Sequence, residues 1–297
     1  MLMSAHRPRV RTWRRTLRAL ALTGRARDAH LGDIGDRELP TAPLPRRMRC
    51  RRSQWGAGPA DAAGDGPVLH IGPGPRAVAL REDTGPLLPR RLLRPRQGRL
   101  GDCWVMAPML AIHETAPERL RALLTEEADG IVAVQLPAMP SPVRVDRHLP
   151  VDARGVFQYG RRDGANPGWV GVLEKAIAVH VAGGYAVLQR GFARFGLELL
   201  LGERVHSSLR MPSAAQIIAW RAEGRAICAS THPLSPLLVP TSAGPLPPSH
   251  VVAVVGADAR TGHVQLRDPV RPADVLVLDA RRFRRGFLSV DVTAPLG

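Results

Sequence analysis

The chain has 297 residues, a formal net charge of +16, 44% apolar residues and only 4% aromatics. That length and apolar content suit a globular protein with a sizeable core, and no apolar run is long enough to span a bilayer. The charge favours acidic partners, yet no basic stripe is interleaved with stacking residues, so no specific nucleic-acid partner is expected.

Residues 1–66 are rich in Arg, Pro, Gly and Ala and read as a basic, largely disordered arm, with a short basic helix at 11–23 and a charge cluster, RRMRCRR, at 46–52. Such an arm suits an acidic partner or a membrane surface. The apolar stretch LRALALTG is short and soon followed by Arg25 and Arg27, so no signal peptide is recognised and a cytoplasmic location is expected. Residues 67–89 form a lead-in in which PVLHIGPGPRAVALRE suggests two short strands around a Gly-Pro turn. A Pro/Arg-rich connector at 86–96 leads to the octet QGRLGDCW at 97–104.

From Cys103 to about residue 124 the pattern is helical, with Pro117 suited to a helix start and Pro108 expected to kink the first helix. Residues 131–151 alternate as strands do, 169–182 form an apolar helix stopped by Gly183-Gly184, and 213–223 form another helix. AICAST, HVVAVVGAD, HVQLRDP and DVLVLD then follow as strands. Helices first and strands later indicate an α+β fold.

The chemistry centres on Cys103. A thiol at a helix start meets free backbone N–H groups and the positive end of the helix dipole, which favour thiolate. Gln97 is spaced to fold back and donate a hydrogen bond beside the sulfur, as an acyl-transfer oxyanion requires. The three cysteines, Cys50, Cys103 and Cys228, cannot all pair within one chain, and no zinc-ligand spacing is present, so no metal ligand is assigned. Of the ten histidines, His250 stands out because it opens an apolar strand directly after the loop SAGPLPPS, where a polar ring can face a cleft. His263 fits a solvated turn, and His113, His148, His180, His206 and His232 fit surface or core roles. Asp268 follows a strand and precedes a proline, a place from which it can orient the imidazole.

Three segments, in order, resemble the calpain family of papain-like cysteine proteases. QGRLGDCWVMAPML is similar to its nucleophile motif, WVGVLEKAIAVHVAGGY to its WxxLLEKAYAK…GGY segment, and SHVVAVVGAD…GHVQLRDPV to its HAY…RNPW region. LDARRFRRGFLSVDV resembles the end of its catalytic domain. The resemblance covers roughly residues 90–297 and implies a two-lobed papain-like fold, with Cys103 in a helical lobe and His250 in a β-rich lobe. It implies a thiol protease, a cysteine-type endopeptidase acting on protein substrates, with Cys103 as nucleophile, His250 as general base and acid, and Gln97 as oxyanion donor. Asp268 stands where the family has asparagine, and Val270 stands for the tryptophan that would shield the His–Asp contact. Val251 and Val252 replace the usual Ala-Tyr. Trp169, Glu174, Lys175 and Tyr185 match the middle motif and are expected to serve packing. Calcium is compatible with the resemblance, but its ligands cannot be placed on this chain. Pro108, Asp268 and Val270 keep a second reading open, a catalytically weakened calpain-like interaction module. Asp268 alone hints at a third, a papain-like acyltransferase or deamidase.

Overall fold

The structure, a computed structural model, describes residues 67–297 apart from 138, 242 and 243. The arm at 1–66, including Cys50, lies outside the described residues.

Strand β1 (Ala79–Glu82) pairs antiparallel with β6 (His148–Val151), Ala79 facing Val151. The lead-in is therefore not a hairpin of its own. Leu69 makes a parallel bridge to Val145, and both halves of the segment are completed by later strands. Asp83 locks the segment down. It is buried and accepts the Gly168 N–H at 2.7 Å and the Asn166 amide at 2.6 and 2.7 Å. Strand β2 (Pro95–Arg96) pairs with β7 (Arg161–Arg162), and β3 (Leu124–Glu126), β4 (Ile131–Val134) and β5 (Val143–Asp146) form a three-stranded meander.

Helix α1 (Cys103–His113) is buried at every residue from Trp104 to Ile112, as an all-apolar helix must be. It runs through Pro108 without ending. The reason lies in its neighbour. Pro108 has no N–H to return to the carbonyl of Trp104, and Gly196 packs directly there, where a Cβ would lie 2.1 Å from that oxygen and 2.8 Å from Pro108 Cγ. Gly196 belongs to α5 (Ala193–Leu201), which sequence reading did not anticipate. Between them lie α2 (Pro117–Arg121), α3 (Gly168–Ile177) and α4 (Tyr185–Leu188). A π-helical turn extends α3 to Ala182, and Gly183 ends it at φ +75°, the left-handed stop its position suggested.

The last third builds one antiparallel sheet. Its strands are β8 (His206–Ser208), β9 (Arg225–Thr231), β12 (Val251–Ala257), β13 (Val264–Asp268), β14 (Arg271–Leu278) and β15 (Phe287–Pro295). A small pair, β10 (Pro240–Thr241) and β11 (Gly244–Pro245), stands apart. The spatial order is β14-β13-β12-β9-β15-β8. Helices α6 (Ala214–Ala222), α7 (Ser235–Leu238) and α8 (Ala280–Gly286) connect these strands. Ser213 and Asp279 cap α6 and α8 by accepting the N–H groups of Gln216 and Arg282.

Two cores share this sheet. Alternation along β12 sends Val251 and Ala253 toward the core of α1, α3 and α5, and Val252 and Val254 into a second core with Ile227, Leu266, Phe283 and Phe287. Each large side chain so buried contributes about 1.5–3 kcal/mol. Strand β12 is thus fixed from both faces, and the residue that starts it is held accordingly. Mixed helix and sheet content makes the fold α+β. No helix among the described residues is long and apolar enough to cross a membrane.

Candidate active site

Cys103 is the first residue of α1 and is half-buried, whereas the rest of its helix is sealed in the core. Trp104 anchors that start. Its Nε1–H donates to the Leu188 carbonyl at 2.6 Å, and Gly191 lies so close to its ring that a Cβ would come within 2.5 Å. Gln97 is buried, its backbone N–H donates to the Pro269 carbonyl at 2.7 Å, and its side-chain Nε2 donates to the Leu100 carbonyl at 2.6 Å. That bond uses one of two amide protons. Gly98 is required next to it, because a Cβ would sit 2.2 Å from the Gln158 carbonyl oxygen.

His250 precedes β12. Its N–H donates to Thr231 Oγ1 at 2.8 Å, and its carbonyl accepts the Thr231 N–H at 2.8 Å. The ring is thereby set against the β9 edge, and Nε2 meets Asp268 Oδ1 at 2.9 Å. Cys103 is near enough to the ring to act on its titration, and with Nε2 on Asp268 the nitrogen left for the sulfur is Nδ1. Burial alone would lower the His250 pKa, but the bonds and charges of Asp268 and Cys103 outweigh it and push the ring up to about 10. Asp268 ends β13, and its Oδ1 also accepts the Val270 N–H at 2.8 Å. Burial would raise its carboxyl, yet His250, the Val270 N–H and Arg271 hold it below the ordinary aspartate value.

The structure thus brings Cys103, His250 and Asp268 into one chain of contacts, and ties Gln97 by its backbone to the residue after Asp268. Val270 is 41% exposed, so it leaves the His–Asp contact open on that side. A pocket of about 650 Å³ opens beside Asp268, lined by Leu246, Val252, Leu266 and Arg271 among others, and meets the three residues only through Asp268. The other candidate histidines that can be followed make local bonds: His113 to the Leu92 carbonyl, His148 to Asp146, and His232 to the Leu234 N–H.

Sequence reading missed Glu114. It caps the far end of α1, where the helix dipole disfavours a carboxylate. Arginines account for it: Glu114 pairs with Arg94 through Oε1 and with Arg267 through Oε2 at 3.4 Å, and its carbonyl accepts from Arg221 at 2.8 Å. Burial would raise its pKa, but His113, Arg94 and Arg267 bring it down to about 2. One carboxylate therefore links the strand leading to Gln97, the helix that begins at Cys103 and the strand ending in Asp268. An arginine three residues before Gln97 and another directly before Asp268 were the available signal.

The middle motif serves packing. Trp169 and Tyr185 are buried. Lys175 is 1% exposed and donates to Asp146 Oδ1 at 2.8 Å, the Asp146 carbonyl at 3.1 Å and the His148 carbonyl at 2.9 Å. Asp102 and Glu174 are buried together beneath Cys103. Among the described residues no group of three or more His, Cys, Asp or Glu side chains is arranged to hold a metal ion.

Residues 93–262 match the family model of the calpain family cysteine proteases. The chain is similar to the calpain-type cysteine protease ADL1 of Oryza sativa subsp. japonica, at 27% identity over 190 residues, covering 58% of this chain and 9% of that protein. It is similar to the calpain-type cysteine protease DEK1 of Arabidopsis thaliana to the same extent, 27% over 190 residues, again 58% and 9%. The match spans under a tenth of the length of either relative. On the strength of the family match, the chain belongs to the calpain family of cysteine proteases.

Proposed function

We propose that the chain is a calpain-type cysteine endopeptidase with a papain-like division into two lobes, the first core being the helical lobe and the second the β-rich lobe. The observation that supports this most is the position of His250, in contact with Cys103 on one side and with Asp268 on the other. The thiolate form of Cys103 is the nucleophile, and the charged His250 ring beside it serves as its counter-ion. The thiolate attacks a peptide carbonyl. The oxyanion is met by the second Nε2 proton of Gln97 and by the Cys103 N–H, which lies in the first helical turn and has no intrahelical acceptor. His250 gives its proton to the leaving amine, then takes one from the water that cleaves the acyl-enzyme. Asp268 keeps Nε2 protonated and the ring aimed, a task a carboxylate performs as asparagine does, with added charge.

The test is a casein or fluorogenic peptide digest by the wild type and Cys103→Ala. Cleavage by the wild type alone is expected; equal cleavage by both would remove the assignment. Labelling of Cys103 by an irreversible thiol-protease inhibitor counts against the reading as an inactive module.

A further inference from the structure

Directly beneath the nucleophile, two carboxyl groups are buried against each other. Asp102 is 0% exposed and Glu174, from α3, is 1% exposed. Asp102 occupies the N-cap of α1, yet its side chain makes no capping bond; only its backbone carbonyl serves the helix, accepting from Val105 at 2.8 Å and Met106 at 3.1 Å. Glu174 Oε2 accepts the Gly160 N–H at 2.8 Å. Apart from the backbone N–H of Asp102 itself, the remaining oxygens, Asp102 Oδ1 and Oδ2 and Glu174 Oε1, meet no donor among the other described residues. What they meet is each other, in hydrogen-bond contact.

Two carboxylates cannot hydrogen-bond, because both only accept; a proton between them is required. Burying two separate negative charges there would cost several kcal/mol each, and among the described residues no cation acts on either carboxyl. The titratable neighbours are the phenols Tyr159 and Tyr185, with Arg76 acting on Tyr159 and Asp146 on Tyr185. Lys175, next in sequence to Glu174, is bound to Asp146 and the His148 carbonyl. Tyr159 donates to the Pro75 carbonyl.

We propose that Asp102 and Glu174 form one proton-sharing positioning pair, Glu174 donating and Asp102 accepting, that fastens the Cys103 turn to α3. Neither residue touches the reacting atoms; the pair acts through the backbone of Cys103. Only its consequence for turnover rests on the peptidase reading. Burial raises Asp102 from 3.8 to about 7, and burial together with the Asp102 charge and bond holds Glu174 well above its ordinary value of 4.5. Both folded values lie above the unfolded ones. The pair's stabilisation is therefore complete below about pH 4 and declines as pH rises, first through about 7 and then further as Glu174 releases its proton to solvent. That last loss leaves two negative charges facing each other and pushes the Cys103 turn from α3.

The experiment compares wild type, Glu174→Gln and Glu174→Leu. The glutamine amide donates to Asp102 as the proton did, its oxygen still accepts from Gly160, and it cannot ionise. Thermal melting across neutral and alkaline pH is expected to show the wild type falling away from Glu174→Gln as pH rises, with Glu174→Leu low throughout. Infrared spectra of the wild type just above neutral pH are expected to contain the carbonyl stretch of a buried protonated carboxylic acid, and Glu174→Gln to lose it. A wild type without that band, or parallel melting curves for wild type and Glu174→Gln, overturns the pair. Neither readout needs turnover. A band present in a protein that cleaves nothing sinks the peptidase reading and leaves the pair standing, and the reverse result does the opposite.

Discussion

Two aspartates lie beside Cys103 and His250, and their surroundings give them opposite characters. Asp268 lies behind His250 with a side chain 25% exposed, accepts from an imidazole and a backbone N–H, and is held below its ordinary pKa. Asp102 lies beneath Cys103, fully buried, with only its own backbone N–H and another acid as donors, and burial pushes it up to about 7. The same side chain is thus a fixed charge in one place and half of a shared-proton pair in the other, because donors and solvent decide which form is favoured. On the upper side the charge tunes an imidazole; on the lower side a proton shared with Glu174 lets a helix start be buried.

That contrast can be broken in several ways. The largest effect is expected from His250→Ala, which removes the group Asp268 serves. Cleavage should fall on the order of a thousandfold, while the melting temperature, set by the lower side and the cores, moves little. Gly196→Ala attacks the helix common to both regions. Its Cβ would meet the Trp104 carbonyl oxygen at 2.1 Å, and chemical denaturation should show a loss of about 1–3 kcal/mol, with Cys103 alkylation rates altered because the helix start moves. Glu114→Gln removes the charge linking Arg94 and Arg267, with an expected loss of about 1.5–3 kcal/mol at neutral pH. Glu114 has a lowered pKa, so its stabilisation is present above about 4.5 and fades as pH falls through about 2. The mutant's acid melting profile should therefore converge on that of the wild type.

The smallest effect is the most specific. Asp268→Asn keeps an acceptor for Nε2–H and removes the charge that helps hold His250 at about 10. Because that pKa is raised, imidazolium is stabilised below about pH 6.5 and lost as pH rises through 10; the asparagine form should lose it about 1–3 pH units earlier. The alkaline limb of the kcat/KM profile reports this directly. An unmoved limb would mean that Asp268 orients the ring without tuning it.

Much of the upper side could be read from sequence, because its residues sit in local contexts that chemistry restricts: a thiol beside Trp at a helix start, a ring opening a strand, an acid before proline. The lower side could not. Asp102 drew no reading of its own and Glu174 looked like a packing residue, since only the fold brings them together. Pro108 was expected to kink α1, and local rules support that; the compensation comes from Gly196, on a helix whose run of leucines had not been assigned. The lead-in was read as two strands from its alternation, but strand partners are a tertiary matter, and Val145 and Val151 supplied them. Glu114 ran against the dipole rule, and its arginines lie far along the chain.

Lys175 is the only lysine in the sequence, and its ammonium protons are taken up by Asp146 and the His148 carbonyl inside the protein. Reagents that acylate amines therefore find no lysine side chain to modify on the folded molecule. Brief exposure to an N-hydroxysuccinimide ester should leave Lys175 unmodified. A label at Lys175 would then report opening of the helical core, a single-residue chemical clock for unfolding that needs no engineered probe.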